Sequence, residues 1–297
     1  MRNLEGKVGF VTGGASGIGL GMVSAFLGEG MKAVVADYDE AHLNQARSVL
    51  AGSNAVHFLR VDVSDRAALK AAADEALAVF GRIHVLCNNA GVGGGGAVDD
   101  PDFDDWDRAM GVNLGGVVNG VKIIVPIIKD QGEGGHVVNT ASMAGVVPLP
   151  GLGAYSAAKY AVRGLSDSLR MSLAPHGIGV SCLFPGATRS ALVEVPEEGE
   201  EPPATEDGPS PALMHELWAA MRVAMDPLEM GAAVVEAIRE NRPHICTHAE
   251  FLDEVRERNR AFEAAFPADA QIPEARSRFE ATRRALATEL LTMPAKD

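Results

Sequence analysis

Lys7-Val8-Gly9-Phe10-Val11-Thr12-Gly13-Gly14-Ala15-Ser16-Gly17-Ile18-Gly19 passes from a short apolar run into a glycine-rich turn. Leu20, Val23 and Leu27 then recur at helical spacing and give the next segment one apolar face. A strand, a glycine turn and a helix this close to the start is the order in which a dinucleotide fold seats a pyrophosphate. Glycines let the backbone come near, and the unpaired N–H groups of the helix's first turn face the negative charge. The spacing Gly13-x3-Gly17-x-Gly19 differs from G-x-G-x-x-G, so the turn alone is also compatible with a tight strand-to-helix connection.

An acid after the second strand narrows the reading. Ala33-Val34-Val35-Ala36 is apolar and β-branched, and Asp37 follows it. A carboxylate there accepts both ribose hydroxyls of an adenosine half and repels a 2′-phosphate. No Arg or Lys stands at 15–18 or 38–41 to receive such a phosphate, so NAD is expected rather than NADP. The bland alternative is a turn or helix-capping aspartate.

Strands and helices alternate along the rest of the chain. Strands are expected at Lys7 to Thr12, Ala33 to Ala36, Val56 to Val61, Ile83 to Cys87, around His136, at Ile178 to Leu183 and at Pro243 to Cys246. Helices are expected at Glu40 to Leu50, Arg66 to Phe80, and from Trp106 through Asn113 toward Ile128. That alternation predicts a parallel sheet covered on both faces.

The second chemical signal is Asn139 to Lys159. It leaves the His136-Val137-Val138 strand, crosses a Pro/Gly-rich loop and enters an Ala-rich helix at about Ala154. Tyr155 and Lys159 are four apart and share a helix face, and Ser142 sits just past the strand, free to meet them. A hydroxyl, a phenol and an ammonium together can move a proton at a carbon that bears oxygen.

Composition bounds the class. The chain has 297 residues, 47% hydrophobic and 22% charged, as expected of one soluble core with an appendage. Its first residues carry no secretory pattern, and the apolar patch Val117 to Ile128 reads as too short and too polar to span a bilayer. Cys87, Cys182 and Cys246 each lie in an apolar run and read as buried free thiols in a reducing, cytoplasmic setting. Residues 194–250 hold 3 basic and 13 acidic side chains, which is most of the net charge of −14. There is no basic stripe, so nucleic acid and anionic membrane are poor partners.

Thr12 to Gly19, Asp62, Asn88-Asn89-Ala90-Gly91, Asn113, Ser142, Tyr155-x3-Lys159 and Pro185-Gly186 resemble, in order and spacing, the short-chain dehydrogenase/reductase family. The resemblance covers roughly residues 4–250. It implies a single Rossmann-like, doubly wound α/β domain with a seven-stranded parallel sheet, and reversible NAD(P)-linked oxidation of an alcohol.

It also implies roles. Tyr155 would be the general acid/base, with Lys159 favouring its phenolate and holding the nicotinamide ribose. Ser142 would orient the substrate oxygen. Asn113 would sit at a helix irregularity and anchor a water toward Lys159. Gly13, Ser16, Gly17, Ile18 and Gly19 would hold the pyrophosphate side and Asp37 the ribose. Asp62 and Val63 would meet the adenine. Asn89, Ala90, Gly91, Pro185 and Gly186 would line the cofactor, and Thr188 would bind the carboxamide. Such proteins assemble as homodimers or homotetramers through the helices carrying Asn113 and Tyr155.

Two regions depart from a minimal member. A substrate lid is expected over about 189–225, acidic and Pro-rich at Glu197 to Pro203, then helical with Leu213, Leu217, Trp218 and Met221. Past residue 250, Phe251, Val255, Phe262 and Phe266, then Phe279, Leu286 and Leu290, predict a C-terminal extension of two helices broken near Pro267 and Pro273. With His244 to His248, this tail is similar to a bacterial subgroup that includes Cα-dehydrogenases of lignin-derived aryl alcohols. His215, His244 and His248 are candidates for substrate contact or for plain surface and strand-end positions. His244 and His248 on a strand would lie roughly 13 Å apart, too far for one metal.

The substrate side is expected to comprise Ser142, Met143, Leu149, Tyr155, Leu192 and Trp218. It is apolar and next to an acidic lid, which suits a neutral, moderately bulky secondary alcohol or its ketone. Competing readings are a reductase of 3-oxoacyl thioesters or of steroid-type ketones, and a non-catalytic NAD sensor.

Overall fold

The computed structural model describes residues 1–94, 98, 103–148, 151–190 and 211–292. Seven strands form its sheet: β1 (Val8–Thr12), β2 (Lys32–Asp37), β3 (Val56–Arg60), β4 (Val85–Asn88), β5 (Gly135–Thr140), β6 (Ile178–Phe184) and β7 (His244–Cys246). Their order is β3-β2-β1-β4-β5-β6-β7, and every pair is parallel. The sequence winds outward one way from β1 and the other way from β4. The carboxyl ends of those two strands therefore flank a crevice where a ligand binds in such sheets.

Alternation along the strands sorts the core into two layers. Val8 and Phe10 of β1 enter one cluster with Val34, Leu86 and Val137, while Val11 enters the other with Val35, Val85 and Val138. Helices α3 (Arg66–Phe80) and α5 (Val117–Asp130) cover the first layer through Leu69, Ala73, Ile124 and Ile128. Helices α1 (Gly17–Gly28) and α8 (Pro227–Glu240) cover the second through Met22, Val23, Phe26, Met230, Val234 and Ile238. Two glycines let α1 and α8 touch at backbone distance. A Cβ at Gly231 would stand 2.1 Å from the Gly21 carbonyl oxygen, and one at Gly21 would stand 2.0 Å from that of Pro227.

Caps place several helix ends. Asp39 opens α2 (Glu40–Val49) by accepting from the Ala41 and His42 N–H groups, and Asp65 opens α3 in the same way through Ala67 and Ala68. Asp226 caps α8, with Pro227 at its first position, and Asn241 ends it at φ 54°.

The helix expected through Trp106 and Asn113 is continuous but not uniform. It begins as α4 (Asp104–Ala109), loosens into a π-helical turn over Met110–Gly116 and resumes as α5. Over Asp104–Asp130 it is long and apolar enough to cross a membrane by composition, more so than the shorter patch suggested. Its buried side, including Ile124, Val125 and Ile128, packs on the sheet layer instead.

The expected strands and helices appear, with ends shifted by a residue or two. One burial expectation is corrected: Cys87 and Cys182 are buried, but Cys246 is exposed. β7 is the edge strand, and only its central residue, Ile245, points into the core. Beyond it come α9 (Leu252–Ala264) and α10 (Glu274–Thr292), the two helices expected of the tail. Phe251 and Val255 pack on a third cluster with Met143, Val147 and Phe184. Phe262, Phe266, Phe279 and Leu286 are exposed.

Candidate active site

At the carboxyl ends of β4 and β5, backbone geometry fixes the polar residues. α6 (Gly153–Leu173) carries Tyr155 and Lys159 on one face, as their spacing requires. Lys159 is 4% exposed, and its Nζ donates to the Thr140 carbonyl at the end of β5 at 3.0 Å. The same Nζ lies 5.4 Å from the Tyr155 ring centroid. The Ser142 hydroxyl lies near enough to the Tyr155 phenol to favour its ionised form, and it accepts from the Ala144 N–H at 3.1 Å, which starts a 3-10 turn over Met143–Gly145.

Asn113 is fully buried in the π-helical turn. Its Oδ1 accepts from Val92 N–H at 2.9 Å, and its Nδ2 donates to the Val92 carbonyl at 3.0 Å. A Cβ at Gly91 would sit 2.8 Å from Asn113 Oδ1 and 3.6 Å from Lys159 Nζ, so the three are packed around one point. The π-helical turn thus carries a buried amide that bonds the Val92 backbone across the crevice.

Burial drives both titrating groups toward neutrality. The Tyr155 phenol is raised above its ordinary value by loss of water, with the Ser142 hydrogen bond pulling the other way. Lys159 is lowered to about 8, again by burial. The sequence reading has the ammonium pulling the phenol down; the net direction in this site is up, with burial as the largest cause.

The glycine turn and Asp37 meet beside this cluster. Gly13 and Gly17 have φ of 60° and 46°, a left-handed backbone open chiefly to glycine. Ser16 is extended at the start of α1, and its hydroxyl makes no capping bond, which leaves the first-turn N–H groups free to face an anion. Ile18 is half-buried and Gly19 buried. Asp37, 8% exposed, accepts from Ala15 N–H at 3.0 Å and Asp39 N–H at 3.1 Å, one bond on each oxygen. Each oxygen keeps an acceptor site for a hydroxyl, so turn, helix end and carboxylate together fit a dinucleotide.

Other residues expected at the cofactor follow the carboxyl ends of β3, β4 and β6. Asp62 accepts from Ser64 N–H and its hydroxyl, and Val63 packs its side chain against Gly116 of the π-helical turn. Asn89 donates to the carbonyls of Thr12 and Gly13, and Thr140 donates to Asn89 Oδ1, so one amide joins β1, β4 and β5. Ala90 and Gly91 follow it, and a Cβ on Gly13 would meet Ala90 Cα at 2.8 Å. Pro185 accepts from Met143 N–H, and buried Thr188 donates to the Gly186 carbonyl.

The substrate side is less complete. Ser142 and Tyr155 come together, and Met143 lies behind them, 6% exposed within the Val147–Phe184 cluster. Met143 therefore supports the wall from beneath. Trp218, on α7 (Pro211–Arg222), meets His215 edge-on with ring centroids 6.1 Å apart. Leu149, Leu192 and the acidic 197–203 stretch lie outside the described residues. His244 pairs with Asp167 at 3.2 Å.

Two further residues organise the site. The Thr12 hydroxyl, which opens the Thr12 to Gly19 motif, accepts from the N–H groups of Asn89 (2.9 Å) and Ala90 (3.0 Å). His248, just past the end of β7, is buried against the 185–188 segment.

Comparisons agree with this architecture. The short chain dehydrogenase family model matches residues 7–201. A C alpha-dehydrogenase of Sphingobium sp. (strain NBRC 103272 / SYK-6) is 33% identical over 288 residues, 95% of this chain and 93% of that protein. The apo form of LigO from Sphingobium sp. strain SYK-6 superposes with a TM-score of 0.78 at 38% identity, covering 99% of this chain and 100% of that one. A short chain dehydrogenase/reductase from Burkholderia phymatum, solved with NAD, gives 0.79 at 34% identity over 92% of this chain and 100% of the other.

Proposed function

The chain belongs to the short-chain dehydrogenase family, and from that premise we propose that it interconverts a neutral, moderately bulky aryl secondary alcohol and its ketone with NAD. As a family member it is an oxidoreductase that uses a nicotinamide cofactor on a small molecule. The observation that carries the finer reading is the meeting of Tyr155, Ser142 and Lys159 with the Gly13–Gly19 turn and Asp37 in one crevice.

NAD, when bound, accepts or returns a hydride at the carbinol carbon. The protein's own residues handle the proton. Ser142 holds the substrate oxygen, and Tyr155 takes the hydroxyl proton during oxidation or donates one during reduction. Lys159, fixed on the Thr140 carbonyl, presents its charge to the phenol face and to whatever lies over Gly91. Asp37 supports NAD over NADP by charge repulsion of a 2′-phosphate. The aryl substrate is supported by the likeness to the C alpha-dehydrogenase and by an apolar flank with no Arg or Lys besides Arg189.

The test is a panel of aryl carbinols, steroids and small diols, assayed with NAD and with NADP for appearance of reduced nicotinamide. Aryl carbinols with NAD should give the largest kcat/KM. Preference for NADP, or activity confined to steroids or diols, would refute the finer assignment and leave the family intact.

A further inference from the structure

The segment Pro185–Thr188 leaves β6 and runs along the crevice that the cofactor reading assigns to the nicotinamide. Outside an isolated bridge at Thr188 it has no regular secondary structure to fix its path. Its backbone is held on one side by Met143 N–H to the Pro185 carbonyl at 2.8 Å. Met225 N–H to the Ala187 carbonyl, and Arg189 N–H to the Met225 carbonyl, hold it on another at 3.1 Å each.

The third hold is a side chain from the far end of the domain. His248 follows the last strand and is 7% exposed. Its Nδ1 accepts from Gly186 N–H at 3.1 Å, and its Nε2 lies 3.0 Å from the Ala187 carbonyl. An acceptor at Nδ1 places the ring proton on Nε2, so the imidazole takes one bond from the segment and gives one back. The Thr247 hydroxyl lies 2.9 Å from the same Nδ1 and itself donates to Met230 Sδ.

The ring also packs closely against the Gly186 backbone. A Cβ at Gly186 would stand 2.7 Å from His248 Cγ and Cδ2 and 2.9 Å from Phe251 Cε2. Gly186 thus has no room for a side chain because His248 and Phe251 fill that room. Phe251 in turn packs with Met143 and Phe184, the residues beneath Ser142.

We propose that His248 is a positioning residue for the nicotinamide end of the cofactor site. Its two hydrogen bonds set the path of Gly186–Thr188, and through it the groups that receive the carboxamide, while the adenosine end at Asp37 is untouched. The inference rests on the NAD-dependent reading above.

The test measures binding of NAD and of ADP-ribose, which lacks the nicotinamide, to the full chain by titration calorimetry. His248→Ala and His248→Phe, the second keeping the bulk without either bond, should weaken NAD about tenfold, the equivalent of about 1.4 kcal/mol. ADP-ribose should stay within about twofold of wild type. His248→Asn offers an amide oxygen where Nδ1 accepts and should recover most of the loss. Unchanged NAD affinity in the Phe variant, or equal weakening of both ligands, overturns the proposal. Wild-type protein that binds neither ligand overturns the cofactor reading, and this inference with it.

Discussion

Lys159 is charged at neutral pH in a buried position, and that position has a measurable cost. Its folded value of about 8 lies below the ordinary 10.5, so between those values the unfolded chain holds the extra proton. Stability from this group accordingly rises with pH across about 8 to 10.5, and below 8 the charged, buried form carries the full cost. Lys159→Met should raise the melting temperature at pH 7 while lowering turnover at least about a hundredfold, a trade expected where function and stability conflict. Thermal unfolding and steady-state kinetics on the same preparations check both halves.

For Tyr155 the sign runs the other way: a raised phenol keeps its proton at neutral pH, which is the form that reduction of a ketone needs, while its strength as an acid is lowered. Tyr155→Phe should cut kcat about 10²–10⁴-fold and leave the NAD dissociation constant near wild type. A variant retaining more than a few per cent of turnover would remove Tyr155 from the proton path. These residues were legible in the sequence because their spacing is the signal: four residues on a helix, one loop from a strand end. The direction of the phenol's shift was not legible, since it depends on how much water the fold removes.

At the scale of elements, the strands announced themselves by apolar runs and the helices by periodicity, and errors fell at the ends. Cys246 shows why burial is harder to read than strand type. His244-Ile245-Cys246 looks like core by composition, yet an edge strand buries one face, and edge position is set by topology. The contact between α1 and α8 was equally hidden, because Gly21 and Gly231 have nothing to mark them as partners. Gly231→Ala would put a methyl 2.1 Å from the Gly21 carbonyl oxygen and force the helices apart. A loss of about 1–3 kcal/mol in urea unfolding is expected, together with weaker NAD binding because α1 supplies the anion-facing N–H groups. An unchanged unfolding midpoint would mean that the helices separate without cost.

Across the whole molecule, acid should act through buried histidine. His136 lies at the centre of the sheet, fully buried, with Nε2 2.8 Å from the Ser181 hydroxyl, and burial lowers it to about 3. A folded value below the ordinary 6.5 means this stability is complete above 6.5 and is lost as pH falls toward 3. The expected loss is about 2 kcal/mol by pH 5. Urea titrations at several pH values should show it, and His136→Gln should flatten the slope; an equally steep slope would place the acid sensitivity elsewhere. The sequence could not indicate this, because a histidine beside Val137-Val138 gives no sign of whether its second nitrogen finds a partner.

The glycine contact between α1 and α8 also bears on how the chain is made. Its two halves, Gly21 and Gly231, are separated by most of the chain. At translation rates of about 5–20 residues per second, α8 leaves the ribosome on the order of ten to forty seconds after α1. Until then the side of α1 that Met230, Val234 and Ile238 will cover is open, and the nascent nucleotide-binding half presents a greasy helix to its surroundings. Birth of this protein therefore includes a waiting period in which a chaperone, or another unfinished copy, competes for the place that α8 will take.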